Sequence, residues 1–200
     1  KNFKKKKYNL FIFKSLIKAI WEITVYLYKK IMKYTNLNDD FEFKYYLNLA
    51  NLHQSILTDS IASTLSSKNL AKLYKILIRN GIMEVTVVED NDDLVGSISY
   101  TISSIFKIKK NIDFIKILII FSFGFCRHPI IWITESFYKL ITYYKVSSKI
   151  NIVFLFVDNT QRGKNIGKTL IQSVIKMHTS SISVDTRTDN HNAIKFYKNN

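Results

Sequence analysis

Residues 152–170 read IVFLFVDNTQRGKNIGKTL, an apolar strand followed by a glycine-bearing turn and then a helix. Ile152, Val153, Phe154, Leu155, Phe156 and Val157 run without a polar interruption, the pattern of a strand buried on both faces. Asp158, Asn159 and Thr160 end that run. Arg162, Gly163, Lys164, Asn165, Ile166 and Gly167 follow, and residues 168–177 then place Leu170, Ile171, Val174, Ile175 and Met177 at helical spacing. A loop at a helix start presents unpaired backbone N–H groups and the positive end of the helix dipole, which suits an anion such as a pyrophosphate. Taken alone, the two glycines fit a plain tight turn as well as a phosphate cradle.

Residues 181–200, SISVDTRTDNHNAIKFYKNN, shift the balance toward the cradle. A second alternating strand (Ile182, Val184, Thr186) leads into Asn190, His191, Asn192, Ala193, Ile194, Lys195, Phe196 and Tyr197. Together the two pieces resemble the GNAT superfamily of acetyl-CoA-dependent N-acetyltransferases. The first is similar to the family's R-x-x-G-x-G/A acyl-CoA loop and the second to its N-x-x-A-x-x-F-Y helix, with a helix and a strand between them. The resemblance implies an α/β (α+β) fold: a mixed, mostly antiparallel central sheet flanked by helices. It implies acetyl-CoA as co-substrate and an amine on a small molecule or protein as acceptor. The pyrophosphate is expected on the backbone of Arg162, Gly163, Lys164, Asn165, Ile166, Gly167 and Lys168. The pantetheine arm is expected along Leu155, Phe156 and Val157 and at Asn190, with Tyr197 as the acid for the departing thiolate. Asn165 stands where the family has its first glycine; asparagine tolerates a left-handed backbone best after glycine, so the cradle is expected to persist. Many relatives place a glutamate where this chain has Asn151, which leaves Glu84, Glu89 or a water relay as the general base.

Two hundred residues suit one domain with a full core, or a domain plus an appendage. The chain stops at Asn200, directly after the F-Y helix, whereas family members continue into further strands; a carboxyl-terminal truncation is therefore expected. Its consequence is a competing reading, a non-catalytic or incomplete acyl-CoA-binding fragment. The single cysteine, Cys126, excludes an intrachain disulfide, and no signal peptide is evident, so the expected setting is cytoplasmic. His53, His128, His178 and His191 lack ligand spacing, and no metal site is expected.

The net charge of +15 is unevenly placed. Residues 1–34 carry ten lysines against Glu22, and residues 107–150 carry seven lysines and Arg127 against Asp113 and Glu135. These segments contribute +9 and +6, so the remainder is neutral. Nucleic acid is a poor fit, because no recognition motif accompanies the lysines and only four of the 30 basic residues are arginine. Compositional bias toward lysine accounts for part of the excess.

Residues 1–40 read as a basic amphipathic helix and a polar linker, with Lys14, Lys18 and Glu22 on one stripe. Residues 41–200 form the transferase domain. It opens with helices over 41–57 and 66–80, then strands over 83–89 and 94–102 joined by Asp90, Asn91, Asp92 and Asp93. Residues 106–148 are a helical insertion before the acyl-CoA strand, two short helices broken at Pro129; the apolar run Ile117 to Phe121 is too short to span a bilayer. The two basic apolar segments either bury their faces against each other or lie on anionic lipid at the inner membrane surface. No feature of the sequence sets an oligomeric state.

Overall fold

Asn91 and Asp92 close a hairpin by accepting positive φ, 51° and 67°, the pair of left-handed residues that a tight two-residue loop requires. The hairpin joins β2 (Met83–Asp90) to β3 (Asp93–Thr101) in the computed structural model of the chain, which describes residues 17–18, 21–22, 32–58, 60–102, 108, 111–135, 149–186 and 189–199. β3 pairs antiparallel with β4 (Ile150–Val157), and β4 pairs parallel with β5 (Ile182–Val184). A fifth strand, β1 (Met32–Asn36), lies antiparallel on β2, giving the order β1-β2-β3-β4-β5. The expected mixed, mostly antiparallel sheet is present.

β1 corrects the reading of residues 32–36 as the end of a helix and the start of a linker. Its register, Met32 opposite Asp90 and Asn36 opposite Thr86, extends the sheet ahead of residue 41. Thr86 donates its hydroxyl to Asn36 Oδ1 at 2.6 Å, and Lys33 reaches the buried Glu89 at 3.5 Å. The strand forms because β2 offers an unpaired edge, and such a long-range partner leaves no trace in local periodicity. Residues 17–18 and 21–22 are helical, as expected; the remaining expectations for residues 1–31 fall outside the described residues.

The two helices after β1 are α1 (Phe43–Ile56) and α2 (Ser67–Arg79). Ser66 caps α2 by accepting from the Asn69 N–H, and Gly81, at φ 66°, ends it. Tyr46, Leu49, Leu70 and Tyr74 of these helices pack with Val85, Val87 and Phe156 on one face of the sheet. The insertion contributes α3 (Asn111–Arg127) and α4 (Pro129–Glu135), bent 115° apart. Pro129 sits at the first position of α4, where its missing N–H costs nothing. The break falls at the expected proline, although α3, at 17 residues, is not short. Gly124 makes the corner possible: a Cβ there would lie 2.6 Å from the ring of Trp132, which folds back from α4 and donates to Thr64 Oγ1 at 2.9 Å. Among the described residues no single helix is long and apolar enough to cross a membrane.

The opposite face carries α5 (Ile166–Met177) and α6 (His191–Lys198). Leu170, Ile171 and Val174 pack there with Val88, Ile98, Ile150 and Ile152, and the partly buried Phe196 and Tyr197 close the cluster.

Candidate active site

The interior of β4 is irregular where the sheet changes character. On β3 the partner of Ser99 is Phe154 but the partner of Tyr100 is Ile152, so Val153 is an extra, bulged residue. β5 pairs only with Ile150, Asn151 and Ile152, so its ladder ends one residue before the bulge. From Val153 onward β4 has no β5 partner among the described residues. This leaves an open edge on β4 past the end of β5, and Val153, Phe154 and Leu155 are only half-buried where burial on both faces was expected.

Backbone alternation then separates the three expected pantetheine contacts. Asp158 donates its N–H to Val95 O at 2.8 Å, which makes that pair a hydrogen-bonded one and the pair Val157 with Gly96 a non-hydrogen-bonded one. Leu155 and Val157 thus turn their N–H and C=O groups away from β3, toward the open edge. Phe156 turns its backbone to β3 and its ring into the core at 3% exposure, so it supports the edge and is not a contact on it.

Past β4 the chain makes a single 3-10 turn, Asn159–Gln161, capped by Asp158. Asp158 Oδ1 accepts from the Thr160 N–H at 2.8 Å and from its hydroxyl at 2.6 Å. These hydrogen bonds, with the nearby Arg162 charge, hold the carboxyl below the usual carboxylate range. Gly163 and Asn165 follow at φ 85° and 61°, so Asn165 does adopt the left-handed conformation expected of it. The first helical bond of α5 runs from the Thr169 N–H to Asn165 O at 2.9 Å, so the N–H groups of Ile166, Gly167 and Lys168 precede it. Whereas Ser66 and Asn190 cap their helices with side-chain oxygens, Asn165 makes no side-chain cap bond. The positive end of α5 is left open beside Arg162, Lys164 and Lys168, next to the free edge of β4. These residues fit the anionic end of an acyl-CoA.

Gly167 has a packing role beside its expected place in the phosphate loop. A Cβ there would meet the Phe196 ring at 3.2 Å and Val157 at 3.8 Å, so its missing side chain lets α6 close on α5. The two motifs read from the sequence therefore touch each other. Gly167→Val is expected to displace Phe196 and lower stability by about 1–3 kcal/mol, read as the shift in a urea midpoint; an unchanged midpoint would mean the ring yields freely.

Asn190 uses its Oδ1 to cap α6, accepting from the Ala193 N–H at 3.1 Å, which fixes the approach of that helix. Tyr197 lies on α6 with its ring 5.4 Å from that of Phe196, and burial pushes its phenol up to about 12. Asn151, in place of the relatives' glutamate, accepts from the Ser183 hydroxyl at 3.1 Å and ties β4 to β5. Glu84 accepts from the Tyr100 hydroxyl at 2.5 Å, and Glu89 is buried beside Lys33, both on β2 and two strands from the open edge of β4. Neither reaches that edge directly, since two strand spacings are about 10 Å. Sequence reasoning missed the bulge at Val153, which carries no local signal, and the Asp158 turn, which the Asp-x-Thr pattern does signal.

The sequence matches the Acetyltransferase (GNAT) family over residues 49–200. No curated protein matches it. Among solved structures, an aminoglycoside acetyltransferase from an uncultured soil metagenomic sample superposes with a TM-score of 0.52 at 15% identity, covering 85% of this chain and 87% of that one. An integron cassette protein from the mobile metagenome of V. cholerae gives 0.52 at 16% identity, with 84% and 83% covered. A possible acetyltransferase from Clostridium difficile 630 gives 0.52 at 13% identity, with 84% and 88% covered. At these identities the likeness is one of fold.

Proposed function

This chain belongs to the GNAT acetyltransferase family, and from that premise we propose that it is an N-acetyltransferase moving the acetyl group of acetyl-CoA to a primary amine. The observation that carries the reading is the open edge of β4 beyond Val153 meeting the uncapped, cation-flanked start of α5. The α5 N–H groups with Arg162, Lys164 and Lys168 hold the pyrophosphate, and the backbones of Leu155 and Val157 line the pantetheine arm. A neutral amine then attacks the thioester carbonyl; the new C–N bond forms as the C–S bond breaks, and the electron pair leaves on sulfur. Tyr197 offers its O–H to that sulfur. The excess proton of the amine leaves through water, because neither Glu84 nor Glu89 reaches the edge directly. Proximity supplies much of the rate, since both substrates are held against one strand edge.

Calorimetric titration with acetyl-CoA tests this reading, and micromolar binding that weakens with salt is the expected result. Absence of binding at millimolar concentration would sink it. Binding without release of free thiol across a panel of amines would instead favour a non-catalytic acyl-CoA-binding protein. A cytoplasmic setting with peripheral contact at the inner membrane surface accompanies the proposal, motivated by the lysine placement along the chain.

A further inference from the structure

α2 and α3 enclose a groove of about 650 Å³ on the outer side of the helical layer, sharing no residue with the β4 edge. Its α2 wall presents Lys68, Lys72, Lys75 and Arg79, spaced so that they form one stripe along the helix, and α3 adds Lys116. Two of these cations are already paired. Lys75 lies 3.8 Å from Asp39, and Arg79 binds the fully buried Asp113, which Asn80 also reaches at 3.0 Å. Lys68 and Lys72 have no ion pair among the described residues, and Lys116 acts on Asp113 through its charge without a close ion pair.

The opposing wall is apolar: Ile119, Ile120 and Phe123 of α3. α3 buries the stripe Asp113, Ile117, Ile120 and Gly124, half-buries Phe121 against Trp132, and exposes most of the rest of its circumference. Ile112, Leu118 and Phe123 are 54%, 52% and 64% exposed, and Ile130 of α4 is 76% exposed. Exposed apolar side chains thus recur along α3 and onto its bent partner, the kind of surface that marks an interaction site. Taken together α3 and α4 have the apolarity of a membrane segment, but the 115° bend keeps them from crossing as one helix.

We propose that the α2–α3 groove docks on an anionic phospholipid surface, with Lys68, Lys72 and Lys116 at the headgroup phosphates and the exposed side of α3 set among the acyl chains. Charge complementarity selects a polyanionic partner, and the exposed apolar side chains of α3 select lipid over a soluble acidic protein. The docking surface stands apart from the acetyl-transfer site: failure to bind acetyl-CoA would leave it intact.

The test uses Cys126, the one cysteine of the chain and an exposed residue of α3, labelled with an environment-sensitive fluorophore. Vesicles of phosphatidylcholine with phosphatidylglycerol are expected to shift its emission to the blue at low salt, and pure phosphatidylcholine vesicles to leave it unchanged. The triple variant Lys68→Gln, Lys72→Gln, Lys116→Gln, whose changes lie at the surface, should partition on the order of 100-fold more weakly, three lysines at about 1 kcal/mol each. Phe123→Ser should weaken partition while keeping the salt dependence. No blue shift of the unaltered chain with the anionic vesicles overturns the proposal, and so does an equal shift in the triple variant.

Discussion

Tyr197→Phe lowers kcat for acetyl transfer by about 10²–10³-fold and leaves acetyl-CoA affinity within about twofold, the expected signature of a lost proton donor. The substitution removes one oxygen and keeps the ring that packs against Phe196, so α6 stays in place. Burial pushes the phenol up to about 12, which keeps it protonated throughout the neutral range. That direction also limits the role. A thiol titrates near 8.5, so full proton transfer from this phenol to the thiolate is uphill, and the hydroxyl acts by hydrogen-bonding the sulfur as charge develops there. The basic limb of the pH–rate profile below pH 10 should accordingly be the same in the variant. An unchanged kcat in the variant, or a parallel loss of acetyl-CoA binding, would remove Tyr197 from the chemistry.

Acid should destabilise the fold through His53. This residue of α1 is fully buried, with its ring 4.4 Å from that of Phe154 and 5.3 Å from that of Phe156, behind the open edge of β4. Its Nδ1 lies 2.6 Å from the Tyr74 hydroxyl and its Nε2 3.3 Å from Ser60 Oγ. Burial raises the pKa of Tyr74, which keeps that hydroxyl a donor, so Nδ1 accepts and the neutral ring donates from Nε2. Burial lowers the His53 pKa to about 4. A group whose folded pKa lies below its unfolded value of about 6.5 binds its proton first in the unfolded chain. Its contribution is complete above about pH 6.5 and is lost as the pH falls toward 4, by about 3 kcal/mol. Urea midpoints at pH 7 and pH 4 should therefore fall further for the unaltered chain than for His53→Gln, in which that proton is absent. Parallel losses in the two proteins would assign the acid sensitivity to carboxylates such as Asp113. Burial pushes the Asp113 carboxyl up, but hydrogen bonds from Asn80 and Arg79 and the charges of Arg79 and Lys116 outweigh it and hold it low.

The two docked motifs are legible in the order of residues alone. The apolar run of β4, the helical spacing of α5 and the capping asparagine of α6 are local patterns within a few turns of chain, and local sterics and hydrogen bonding enforce them. Asn165 is the clearest case, since a single residue type predicts a φ of 61°. The hairpin at Asn91 and Asp92 and the break at Pro129 follow from the same kind of backbone restriction.

Other features belong to the fold. β1 exists because β2 has a free edge, although residues 32–34 continue a helical pattern. Gly167 reads as part of a phosphate loop, and its packing against Phe196, 29 positions along the chain and 3.2 Å from where a Cβ would stand, is not legible there. The bulge at Val153 and the early end of the β5 ladder create the open edge, and neither is written in residue types, because each depends on how three strands fit side by side. Sequence by itself determined the strand, the turn, the helices and the family. Tertiary packing alone decided which backbone groups of β4 face the cleft, that Phe196 packs over Gly167, and that α2 and α3 meet in a basic groove, since all three are distances between segments far apart in the chain.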